Sequence, residues 1–107
     1  MTRLLGATAL LVMVTACGDA RLDKLALGIS RDSASQLIGD QPHTVASYLT
    51  AGKVWDVAFY ARSGTDAKDS VPWRKMSPVV FINNRAVGWG WHWWGKASVK
   101  QHIPMPQ

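Results

Sequence analysis

The sequence contains no glutamate, a single cysteine and no apolar run long enough to cross a bilayer. Each lack closes a class of explanation. One cysteine cannot form an intramolecular disulfide, so apolar side chains must hold the chain together without a covalent staple. Nor can it supply a thiolate metal site, and His43, His92 and His102 are scattered, with no His partner at i+3 or i+4. The seven acidic residues, all Asp, show no paired acid–base pattern, and no glycine-rich phosphate loop is present. A nucleophilic site would want Ser beside His and a carboxylate, whereas Ser30, Ser33 and Ser35 lie on or beside a predicted helix and Ser30 is better explained as its cap. No catalytic residue, metal or cofactor is therefore expected, and the chain does not read as an enzyme. The uncharged stretch from Leu4 to Val14 falls well short of the about 20 residues of a transmembrane helix.

What is present at the N-terminus organises the rest. Arg3, the short apolar run and the small residues before Cys17 have the order of a secretory signal peptide. An ordinary signal peptide with an incidental cysteine, or a cytosolic chain with an apolar leader, are the plainer alternatives. Val14-Thr15-Ala16-Cys17 resembles the lipobox of bacterial lipoproteins: an aliphatic residue, a small or polar one, a small one, then Cys. That resemblance implies cleavage before Cys17 and acylation of its thiol and new amino terminus. One acyl chain binds a membrane marginally, whereas two or more hold it stably. Residues 17–21 would then be a short lipidated tether. Gly18 after the cysteine favours outer-membrane sorting, and the expected location is the periplasmic face of the outer membrane.

Loss of residues 1–16 leaves Cys17 to Gln107, enough for one small domain. It keeps eleven Lys and Arg against seven Asp, a net charge of +4. The cations are scattered with no run of five, which suits a solvated surface beside anionic lipid. Export makes nucleic acid an unexpected partner. Six Trp promise large buried surfaces in so short a chain.

Leu22, Leu25 and Ala26 recur at helical spacing before Gly28, which predicts a short helix over 21–27. Ser30 is a good N-cap for a second helix, with Asp32 in its first turn, Ala34, Leu37 and Ile38 as its buried face, and Gly39 as its C-terminal turn. Ile29 can staple against Ala34, and Pro42 prevents continuation. Strands are predicted over 44–49 and 54–62, joined by a turn at Ala51-Gly52-Lys53. In the second, Trp55, Val57 and Phe59 alternate with Asp56, Tyr60 and Arg62, and the first set is expected to face the helices. The polar stretch 63–77 reads as a surface loop. Strands over 79–82 and 86–94 follow, joined by Asn83-Asn84, a pair tolerant of positive φ. Residues 96–107 read as an extended or disordered tail. The expected class is α+β: two short N-terminal helices on one face of a three- to four-stranded antiparallel meander, spanning 22–95.

Leu25 to Gly28, Ile29-Ser30, Ala34, Leu37-Ile38-Gly39 and Pro42, then Val54-Trp55-Asp56-Val57 and Val79 to Asn84, resemble the SmpA/OmlA (BamE-like) family of outer-membrane lipoproteins. The resemblance covers about residues 22–94, with Ile29 for Met, Ala34 for Val and one extra residue between Gly39 and Pro42. It implies a lipid-anchored scaffold in outer-membrane protein assembly or envelope integrity, with envelope proteins as partners.

The Trp-rich stretch Gly88 to Trp94 allows several readings. As a strand, it would place Val87, Trp89, Trp91 and Trp93 on one face, filling the core. Trp93 or Trp94 at the strand end, or Trp73 in the preceding loop, could anchor a partner, as exposed Trp does at interfaces. Indole rings also favour the membrane surface. Glycines opposite the rings could leave a flat strip for another chain or a sugar, making a glycan or peptidoglycan binder the rival function. An enzyme inhibitor is the third.

Overall fold

The computed structural model describes residues 19–62 and 71–104; Cys17, the leader, the segment 63–70 and residues 105–107 lie outside it. Four strands, β1 (Thr44–Thr50), β2 (Lys53–Ala61), β3 (Met76–Ile82) and β4 (Arg85–Trp89), form an antiparallel meander in the order β1-β2-β3-β4. Both β1–β2 and β3–β4 turn in two residues with positive φ. Ala51 and Gly52 make the first turn, Asn83 and Asn84 the second. This left-handed backbone matches the twist of the flanking strands, which sets the register. The α+β class and the four-stranded meander are as the sequence predicts.

The N-terminal segment covers one sheet face. Its first element is a 3-10 turn, Ala20–Lys24, rather than the predicted helix, with Leu22 and Leu25 buried. Helix α1 (Arg31–Ile38) starts at Ser30, whose hydroxyl accepts from the Ser33 N–H, and stops at Gly39 in the left-handed region. Its caps are as predicted, but its inward face is Ala34, Ser35 and Ile38, while Leu37 turns outward. Leu22, Leu25, Ala34 and Ile38 join Ala58, Tyr60, Val79, Phe81 and Ala86 in one core, with Ile29 and Trp89 against it. The 28–29 segment also pairs with β4, since Gly28 donates to the Ala86 carbonyl and Ala86 to that of Ile29.

A second core lies on the opposite face, where the sequence predicts none. It contains Trp55, Val57, Phe59, Val71, Met76, Val80, Trp94 and Ile103. Helix α2 (Trp91–Lys100) covers it, so the expected arrangement of two N-terminal helices on one face is corrected to one helix on each. The alternation along β2 is as read, yet Trp55, Val57 and Phe59 face α2, while Tyr60 faces α1 and is equally buried. The predicted tail is likewise replaced, because α2 runs to Lys100 and Ile103 is buried.

The predicted strand over 86–94 ends at Trp89. Pro78 of β3 is fully buried and has no N–H to give a continuing β4. Gly90, with φ of 90°, turns the chain there; its N–H bonds the Pro78 carbonyl, and Trp91 Nε1 donates to the Met76 carbonyl at 2.8 Å. Trp91 and Trp94 then share a helical face over the sheet. A bulge in the β3–β4 pairing, where Phe81 meets Ala86 and Val80 meets Gly88, also shifts the side-chain parity. Val87 therefore faces α2, whereas Trp89 packs on the α1 side.

Candidate functional site

Of the sequence-predicted contact residues, Cys17 lies outside the described residues. Trp94, expected at an exposed strand end, is 0% exposed and belongs to the core. Trp73 sits in a 3-10 turn, Trp73–Lys75, half-buried with its ring edge-on to Phe59 at 4.6 Å. Trp93 is half-buried and packs against the edge of the second core. The structure does not gather these three rings into one surface. The flat glycine strip is also absent: Trp93 covers Gly88, and Gly90 makes the turn.

Trp93 remains the candidate contact. Helical spacing aligns His92, Lys96 and Lys100 beside it, all exposed, and with Trp93 and Ala97 they line an open depression of about 370 Å³. The indole is held rather than free, because it packs directly on the Gly88 backbone. A Cβ at position 88 would overlap the ring. Gly88→Ala should therefore dislodge Trp93 and cost about 1–3 kcal/mol, as overpacking does. Denaturant unfolding together with acrylamide quenching of Trp fluorescence checks this; an unchanged profile in both would mean that Trp93 does not rest on Gly88.

A second constellation lies where the described chain begins. Asp19 accepts hydrogen bonds from the Arg21 backbone N–H at 3.1 Å, Arg21 Nε at 3.0 Å and an Arg21 terminal nitrogen at 2.7 Å. Ser77 Oγ donates to it at 2.9 Å, and Arg21 reaches on to the Ala61 carbonyl at 2.9 Å. Burial alone would raise the Asp19 pKa, but the hydrogen bonds from Arg21 and Ser77 and the Arg21 charge outweigh it. The carboxyl is held below its ordinary range. The same hydrogen bond raises the Arg21 pKa against the opposing effect of burial. A cavity of about 190 Å³ beside this clasp is lined by Asp19, Arg62, Ser77, Trp91 and His92, among others.

The folded-state pKa of Asp19 lies below the unfolded value, so the clasp contributes stability above about pH 4 and loses it as pH falls through the folded pKa. Asp19→Asn should flatten the acid limb of the stability–pH profile below about pH 4. Urea unfolding at stepped pH reads this directly, and superimposable acid limbs would show that the clasp contributes nothing.

The sequence reading treats residues 17–21 as a plain tether and misses the clasp. Its signal was Asp19 placed to cap the turn that follows. The basic row on α2 was legible too, as His92, Lys96 and Lys100 at intervals of four, but the Trp alternation drew that stretch toward a strand. No family model, curated protein or solved structure matches this chain.

Proposed function

We propose that the protein is a lipoprotein anchored through acylated Cys17 to the periplasmic face of the outer membrane, where its α+β domain binds other envelope proteins as a scaffold. The lipobox-like Val14 to Cys17 after a short apolar run supports the anchor. The resemblance to SmpA/OmlA (BamE-like) lipoproteins supports the partner class. One observation carries the binding role. Trp93 is a large ring pinned on Gly88, with cationic side chains beside it and an apolar floor at Ala97. A contact ring that is already immobilised loses little freedom on binding, and Trp is prominent among interface hot spots.

The test is cross-linked capture of the lipidated protein from native membranes, followed by identification of envelope proteins. Trp93→Ala and, separately, Lys96→Glu with Lys100→Glu should each lower recovery of the same envelope proteins by about tenfold, the loss of one hot-spot contact. Circular dichroism of each variant establishes that the domain remains folded. Undiminished recovery in both variants would remove α2 as the binding face. Cys17→Ser should leave uncleaved or soluble, unacylated precursor, because neither the thioether nor the cut before Cys17 can form. An unlipidated mature wild-type protein that begins elsewhere, read by mass spectrometry, would remove the anchor.

A further inference from the structure

The clasp at Asp19 lies two residues after Cys17 in the sequence. Two peptide steps separate these residues, so their Cα atoms lie no more than about 7.6 Å apart. Asp19 is not a loose linker: its side chain is only 7% exposed and is bonded to Arg21 and Ser77. An anchor attached at Cys17 therefore joins the chain within that reach of the end of the sheet to which Asp19 is bonded. That end is where β2 finishes at Ala61, β3 starts at Met76 and Gly90 turns into α2. The other end carries the two hairpin turns, at Gly52 and at Asn83-Asn84. The C-terminus of α2 also lies there, where Thr50 Oγ1 donates to the Gln101 carbonyl. β2 alone separates the two ends by about 26 Å.

Among the described residues, the clasped end is basic. Arg62 follows Ala61, and its N–H bonds the Lys75 carbonyl at 3.0 Å. Arg74 and Lys75 are exposed on the same turn as half-buried Trp73. With Arg21 these are four cations among the described residues, against two carboxylates there: Asp19, already paired with Arg21, and Asp40, whose charge also acts on Arg21. Asp23 and Lys24, on the neighbouring 3-10 turn, offset each other. The segment between Arg62 and Val71 adds Asp66, Lys68 and Asp69 in sequence.

We propose that the domain stands end-on upon its membrane. Arg62, Trp73, Arg74 and Lys75 meet anionic phospholipid headgroups, and the hairpin turns face away into the aqueous compartment. This rests on the Cys17 anchor proposed above. The short leash supplies the proximity and the cations the attraction, about 1 kcal/mol for each one that reaches an anionic surface. Trp73 suits the same zone, because indole favours the headgroup layer. Helix α2 then rises from the membrane with Trp93 in its first turn, facing sideways toward partners that are themselves held in the bilayer.

The test uses the full-length acylated protein reconstituted in phosphatidylcholine vesicles, with and without phosphatidylglycerol. Acylation consumes the Cys17 thiol, so a single introduced cysteine takes a donor fluorophore for energy transfer to headgroup-labelled lipid. Pro72→Cys reports the clasped end, Asn83→Cys the far end and Lys100→Cys the far end of α2. Transfer from position 72 should exceed that from 83 by about threefold or more, given the roughly 26 Å between the ends. Equal transfer, or greater transfer from 83 or 100, overturns the end-on pose. Phosphatidylglycerol should raise transfer from position 72, and Arg74→Gln with Lys75→Gln in the Pro72→Cys chain should abolish that rise. A signal indifferent to lipid charge overturns the headgroup contact. Intact-mass measurement of the same preparation reads acylation separately; a free thiol at Cys17 would mean that the anchor, not the pose, has failed.

Discussion

Trp94→Ala should lower the free energy of unfolding by about 3–5 kcal/mol, a large share of the about 5–15 kcal/mol that holds a domain of this kind together. The ring is wholly buried beneath α2, in a core with Trp55, Val57, Phe59 and Val80, and its centroid lies 6.2 Å from that of Tyr48. Truncation removes that contact area and leaves a cavity that a sheet and one helix can only partly close. Trp94→Phe should be much milder, under about 2 kcal/mol. The Trp94 indole N–H has no acceptor among the described residues, so removing it relieves a buried polar group that costs about 1–3 kcal/mol when unpaired. Denaturant unfolding of the two variants decides the matter. A Trp94→Ala loss below about 1 kcal/mol would place the ring outside the core. Because the residue is structural, binding experiments belong at Trp93.

Tyr60→Ala should cost as much as Phe59→Ala, again about 3–5 kcal/mol. Adjacent residues of β2 point to opposite faces, and here both faces are covered: Phe59 is 0% exposed under α2 and Tyr60 1% exposed under α1. The Tyr60 and Ser35 hydroxyls are 2.8 Å apart, so truncation also strands Ser35 without its partner. Tyr60→Phe isolates that bond and should cost about 0.5–1.5 kcal/mol. It should also change the alkaline limb. Burial raises the Tyr60 pKa, and its bond with Ser35 offsets this only in part. The fold therefore favours the neutral phenol, a contribution complete below about pH 10 and lost as pH rises beyond the unfolded pKa. Tyr60→Phe should flatten that decline. A Tyr60→Ala loss much smaller than that of Phe59→Ala would mean that only one face of β2 is buried.

Asp19 links the proposed lipid anchor to the proposed end-on pose. A flexible tether would let the domain turn freely above the bilayer and present any face to partners. In the proposed pose, the clasp at Asp19 restricts that freedom within two residues of Cys17. Protonation of Asp19 or its replacement by Asn weakens the clasp, so Asp19→Asn should also narrow the difference in energy transfer between positions 72 and 83.

The parts of this protein that its sequence determined unaided are those whose causes act within a few residues. Ser30 and Gly39 bound α1 because a side-chain acceptor and a left-handed C-terminal residue serve only their own helix ends. Ala51-Gly52 and Asn83-Asn84 set both hairpins because positive φ is a property of the turn itself. The alternation of β2 was legible for the same reason. What covers each side of β2 was not, since burial of Tyr60 depends on α1 and burial of Phe59 on a helix formed some 30 residues later. The Trp-rich stretch shows this most sharply. Trp89, Trp91 and Trp93 carry the period of a strand, while Trp91, Trp94 and Ser98 carry that of a helix, and both patterns occupy the same residues. Tertiary structure chose between them at Gly90. There Pro78, from the neighbouring strand, offers no N–H to prolong the ladder, and the second sheet face needed a cover that only a helix returning across it could provide.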